Sequence, residues 1–197
     1  MNKAYIFVLG GTSTITLSIF LFVLVPRVEV EKINKEGLSA QAPYTELELK
    51  GREVYIENGC VYCHSQQVRD PSAGADKAFG WGRASLPSDY IYDKPHLLGT
   101  MRTGPDLSNI GSRQPSRDWH HLHFYNPRLL VQWSIMPGFP FLYDVVSSPT
   151  QPSPTAVKLP SAEDKWLLPK PEAEALVAYI LSLKRDREPF LPSEVKK

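Results

Sequence analysis

The sequence is 197 residues long, with 22 lysines and arginines against 21 acids, 42% hydrophobic residues and two cysteines. Such a length holds one domain or two small ones, the near-neutral balance offers no field to gather nucleic acid, and two cysteines cannot staple a secreted disulfide scaffold. Eighteen prolines, roughly twice the usual share of about 5%, foretell long irregular stretches.

From Ala4 to Val25 the chain runs for 22 residues without a charge. A helix of that length reaches roughly 33 Å, enough to cross a hydrocarbon core of about 30 Å. A cleavable leader is the alternative, but its apolar region usually covers about 7–15 residues and a small-residue cleavage site follows closely. Ala40-Gln41-Ala42 lies too far downstream for that. The pattern therefore predicts a retained single-pass anchor over 1–26, a linker over 27–43, a water-soluble body over 44–190 and a tail over 191–197. Lys3 precedes the span, whereas Arg27, Lys32 and Lys35 follow it, a distribution that by the positive-inside rule would leave the body in the cytoplasm. Gly10, Gly11 and the Ser/Thr group from Thr12 to Ser18 are residues that let a partner helix approach closely.

In the body, residues 44–63 hold Leu47, Val54, Tyr55 and both cysteines at roughly helical spacing, with Thr45 or Glu46 as the start. Residues 65–143 are rich in glycine and proline, and helical pieces are predicted only over 116–125 and 127–133. The prolines at 149, 152, 154 and 160 make 144–168 too broken for regular structure over most of its length, so a surface excursion is expected. After Pro169 and Pro171, Leu176, Tyr179, Ile180 and Leu183 fall at i, i+3, i+4 and i+7, which predicts a terminal helix of about 14 residues.

Cys60-Val61-Tyr62-Cys63-His64 is C-x-x-C-H, the attachment pattern for a c-type haem. On a helix its three reactive residues share one face, so two thioethers can hold a macrocycle while the adjacent imidazole reaches the iron. A thiol redox pair and half of a zinc site are the competing readings, since C-x-x-C alone supports either. A redox pair normally sits between a strand and a helix, and no such alternation is visible. A zinc site needs more ligands, which His120, His121 and His123 offer by type; their spacing does not place all three on one helical face, and packing or interface roles suit them better. A haem ligated by histidine and methionine needs a thioether. Met136 lies in Ser134-Ile135-Met136-Pro137-Gly138-Phe139-Pro140, a segment stiffened by proline, and is the expected ligand; Met101 is the alternative. Among the arginines, Arg69, Arg102, Arg113 and Arg128 suit a haem propionate by type, with solvated surface the default for each and Arg102, beside a glycine–proline turn, the first choice.

At these residues the sequence resembles the membrane-anchored monohaem subunit II of cbb3-type cytochrome c oxidases. The likeness rests on four blocks behind the N-terminal span: CVYCHSQQVRD (60–70), RTGPDLSNIG (102–111), WHHLHFYNPR (119–128) and SIMPGFPFL (134–142). It implies a mainly α fold, with one transmembrane helix followed by a cytochrome c-like domain with long loops. It also implies one covalent haem c on Cys60 and Cys63, with His64 and Met136 on the iron and the Pro105 carbonyl accepting the His64 N–H. A close crossing of the Gly51–Tyr55 helix with the terminal helix at Tyr179 is similar to the family pattern. Met101, where a basic residue is expected, and the length of 144–168 depart from it.

The activity implied is electron transfer within a terminal oxidase by a non-catalytic subunit. Its partners would be the haem–copper catalytic subunit that reduces dioxygen, the other cytochrome c subunit, an electron-donating cytochrome c and membrane lipid. The body would then lie in the periplasm, on the outer face of the bacterial inner membrane, against the flanking-charge count. The cytochrome subunit of a nitric oxide reductase and a free-standing anchored carrier are the alternatives.

Overall fold

The computed structural model describes residues 3–35, 42–160 and 162–186. The tail expected over 191–197 and residues 36–41 of the expected linker lie outside them. Contacts divide the chain into two units, one containing residues 1–40 and 86–91, the other 41–85 and 92–187.

The first unit is built on helices α1 (Ala4–Ile19) and α2 (Val25–Lys35), joined by a π-helical turn at Phe20–Leu24. Pro26 explains the join: it has no N–H for the carbonyl four residues back, and a local widening of the helix absorbs the missing bond. The Ala4–Lys32 stretch is 29 residues of helix, long and apolar enough to cross a membrane. Helix therefore continues beyond residue 26, through a charged segment expected as linker. The Arg27 Nε to Glu31 Oε1 contact of 3.1 Å, at i,i+4 spacing, supports that extension. Within α1, Thr14 Oγ1 donates to the Gly10 carbonyl at 2.9 Å.

In the second unit, α3 (Glu46–Glu57) begins with a capping box. The Thr45 hydroxyl accepts from Glu48 N at 3.3 Å, and the Glu48 carboxylate accepts from Thr45 N at 2.7 Å. Its buried face carries Gly51, Val54 and Tyr55, and it crosses α6 (Pro171–Ser182), which starts on a proline at its first position. The crossing is close because Gly51 has no side chain: a Cβ there would lie 1.8 Å from the Ala175 carbonyl oxygen. Tyr55 meets Tyr179 edge-on, with centroids 5.5 Å apart. Both features match the crossing expected at Gly51 and Tyr179.

Two more helices lean on α6. The single turn α4 (Ile110–Arg113), absent from the sequence reading, fits because a Cβ on Gly111 would lie 2.2 Å from the Leu181 carbonyl oxygen. Helix α5 (Arg117–Tyr125) is capped by Ser116, and only a short 3-10 turn, Pro127–Leu129, follows it where a helix over 127–133 was expected. Val54, Tyr55, Ile110, Phe124, Leu176 and Tyr179 are among the residues of the common core. A buried polar staple closes the same region: Asp93 accepts from Arg185 Nη2 at 2.6 Å and from the Tyr44 hydroxyl at 2.8 Å.

The 144–168 stretch is not merely a surface excursion. It forms most of a three-stranded antiparallel sheet, β1 (Tyr143–Ser147), β2 (Val157–Lys158) and β3 (Lys165–Pro169), in the order β1-β3-β2. Val145 and Val157 both face Leu167 in register. The prolines at 149, 152, 154 and 160 fall between strands, where no ladder hydrogen bond is lost. Val157 and Leu167 are buried, so the sheet contributes to the core.

Candidate haem site

The C-x-x-C-H motif does not continue α3. Gly59 adopts φ +67°, a left-handed conformation open to glycine, and ends the helix. A 3-10 turn, Cys60–Tyr62, follows, and His64 N bonds back to the Cys60 carbonyl at 3.0 Å. One tight turn thus brings the three side chains to the rim of a common cavity of about 440 Å³. Cys60, Cys63, His64, Gly104, Pro105 and Met136 all line it. Helices α3 and α6 supply Tyr55, Leu176 and Ile180, and α5 supplies Trp119, His120, His123 and Phe124. The wall is predominantly apolar, as a large flat organic ligand requires.

His64 is held from behind. Its Nδ1 lies 2.8 Å from the Pro105 carbonyl oxygen. A carbonyl can only accept, so Nδ1 carries the proton and the Nε2 lone pair remains for a metal. Burial lowers the His64 pKa below the ordinary imidazole value, opposed by the Pro105 bond and the Asp106 charge, and the ring is neutral at pH 7. Gly104 forms a cradle for it: a Cβ there would lie 2.2 Å from His64 Cε1. Gly104 N in turn donates to the Cys63 carbonyl at 2.9 Å, tying the turn to the motif.

Met136 comes from a loop pinned to the end of α5. Phe139 N donates to the Phe124 carbonyl at 2.7 Å, and Gly138 passes so close to Tyr125 that a Cβ would lie 2.7 Å from its carbonyl oxygen. Met101 is exposed and does not line the cavity, so the thioether available there is that of Met136. Burial pushes the Cys60 thiol up to about 11, which works against the thiolate that a dithiol redox pair needs.

The donor set suits a haem, with two thiols beside an oriented imidazole and a thioether from a separate loop in the same cavity. The buried Nδ1 of His123, which has no hydrogen-bond partner among the described residues, is a further polar atom in its wall. Residues 2–153 match the family described as cytochrome c oxidase, mono-heme subunit/FixO. The chain belongs to that family. Membership of the FixO family makes it a subunit of a cytochrome c oxidase with one haem, and so implies partner subunits. No curated protein matches the FixO chain.

Arg102 does not line the cavity. Its guanidinium pairs with Asp76, donates to Ser65 Oγ at 2.9 Å and to the Gln67 carbonyl at 2.7 Å, and lies over the Trp81 ring at 5.0 Å. These contacts brace the loop behind His64. The histidines of α5 diverge. His120 and His123 face the cavity, His123 stacked on Trp119 at 4.5 Å, whereas His121 is buried against the Tyr143 hydroxyl at 3.2 Å. Sequence reasoning gave no role to Gly104 or Asp106, although both lie in the R-T-G-P-D-L block. The glycine beside the proline was the available signal.

Proposed function

We propose that the chain carries one haem c, joined by thioethers to Cys60 and Cys63 and ligated by His64 and Met136, and relays electrons to the haem–copper subunit of a cbb3-type oxidase. The haem supplies a one-electron couple. The single observation behind this reading is that Cys60, Cys63, His64 and Met136 line one apolar cavity, with the His64 tautomer set by Pro105. His64 and Met136 would hold the iron between an imidazole and a thioether, and a haem held so would supply electron transfer rather than a place for dioxygen, which fits a relay rather than a catalytic role. The apolar walls exclude water, and the Pro105 bond fixes the imidazole plane and raises its basicity.

The electron comes from another cytochrome c, and the other cytochrome subunit of the oxidase is a second partner. The Ala4–Lys32 helix anchors the chain in the bacterial inner membrane. Thioether attachment of haem takes place on the outer side of that membrane, which puts the body in the periplasm. Purification from membranes in mild detergent, with haem staining by subunit, tests the reading. The expected result is a stained band near 22.2 kDa that travels with a haem–copper subunit active on dioxygen. A colourless chain, or one never accompanied by that subunit, overturns it.

A further inference from the structure

Behind the axial histidine lies a group of buried charges that the relay itself does not use. Asp106 directly follows the proline whose carbonyl holds His64, and it is fully buried. Its Oδ2 accepts from Ser65 Oγ at 2.6 Å and from Gln67 N at 2.8 Å, while Oδ1 accepts from Ser108 N at 2.8 Å. The carboxylate therefore grips the residue after His64 and the turn that carries Pro105. Leu107 N adds a bond to the Ser65 carbonyl at 2.8 Å, so the two segments move together.

The nearby cations are unequally engaged. Arg102 pairs directly with Asp76, bonding through Nη2 at 2.6 Å, and stands 4.0 Å from Asp106 Oδ2. It shares Ser65 Oγ with Asp106, at 2.9 Å. Arg113 donates to the backbone carbonyl of Asp106. The Asp106 carboxylate thus rests on neutral donors, and the guanidinium nearest it is already paired with another acid.

We propose that Asp106 and Arg102 act as opposed positioning residues that set the haem reduction potential, an inference that rests on the haem ligation proposed above. A buried negative charge favours the oxidised iron and a positive charge the reduced iron; burial and local charge are levers by which a protein tunes such a couple. A charge held out of water acts on a one-electron couple with far less screening than one in bulk solvent, in the direction of its sign. Asp106 lowers the potential and Arg102 raises it, and the two also fix His64 through Ser65 and Pro105.

The test is a spectroelectrochemical titration of the full chain in detergent, with wild type compared with Asp106→Asn, Arg102→Gln and Arg102→Lys. Asp106→Asn is expected to shift the potential upward, in favour of the reduced iron. Arg102→Gln is expected to shift the potential downward, and Arg102→Lys, which keeps the charge, to stay near wild type. A purely structural role gives another pattern, because a loosened site admits water and lowers the potential in every variant. Shifts of the same sign in Asp106→Asn and Arg102→Gln, or no shift with haem retained, overturn the proposal. If Asp106→Asn carries no haem, the contrast between Arg102→Gln and Arg102→Lys decides. If no variant carries haem, the pair is a folding staple and the proposal falls. Covalent haem on the wild-type chain, checked first by staining, separates these outcomes from failure of the ligation itself.

Discussion

Replacing Gly104 with alanine probes the support of His64, the proposed haem ligand, at its tightest point. The added methyl carbon would lie 2.2 Å from His64 Cε1, 2.6 Å from Nδ1 and 2.8 Å from Nε2. Carbon atoms rest at about 3.5–4.0 Å, so the ring or the turn must yield by roughly 1.3 Å. The turn is held by the Gly104 N–H on the Cys63 carbonyl at 2.9 Å and the ring by the Pro105 carbonyl at 2.8 Å, so either movement breaks a hydrogen bond. Overpacking of this kind costs about 1–3 kcal/mol, and a lost hydrogen bond about 0.5–1.5 kcal/mol more. Loss of the outer bond to a metal-ligating histidine also typically weakens the site about 10–100-fold. Gly104→Ala should therefore keep its thioethers but show a disturbed low-spin spectrum, an altered potential and a denaturant midpoint lowered to match. A variant with wild-type spectrum, potential and stability would refute the cradle.

Three further outcomes follow from the same geometry. Met136→Ala should retain covalent haem and lower the potential by more than about 59 mV, a tenfold change, whereas Met101→Ala should leave it unchanged in the same titration. Gly51→Ala pushes a methyl onto the Ala175 carbonyl and should cost at least about 1–3 kcal/mol in chemical denaturation. His121 is fully buried and its pKa is lowered to about 3, chiefly by burial and then by the Arg117 and His120 charges; Glu174 lies 3.6 Å away but is already paired with Arg117. The unfolded chain then binds the extra proton, so stability falls as pH drops below about 6.5, by on the order of 1–2 kcal/mol down to pH 5. His121→Phe should flatten that slope, and an unchanged slope would contradict the neutral, buried histidine.

Local signals carried the readable part of the structure. Thr45 or Glu46 and the spacing of Leu47, Val54 and Tyr55 announce α3, Pro171 and the spacing of Leu176, Tyr179, Ile180 and Leu183 announce α6, and Cys60, Cys63 and His64 announce the cavity they line. Each works over a few residues, within reach of periodicity or spacing. The sheet escaped because β2 has only two residues and β1 pairs with β3 across a proline-rich interval, leaving no alternation long enough to register. Arg102 escaped for a related reason: its carboxylate partner, Asp76, lies 26 residues away, and such a pairing has no sequence spacing. The Pro105 carbonyl was legible only through family resemblance, since any backbone oxygen has the same chemistry.

Leu176 and Ile180 in α6 line the same cavity as Cys60 and His64, although Leu176 lies 112 positions after His64. At about 5–20 residues per second, a ribosome finishes that wall roughly 5–20 s after it makes the C-x-x-C-H pentad. Until then the chamber beside Cys60 and Cys63 lacks one wall. Among the described helices α6 is the last to be made, and it closes the chamber in the manner of a latch.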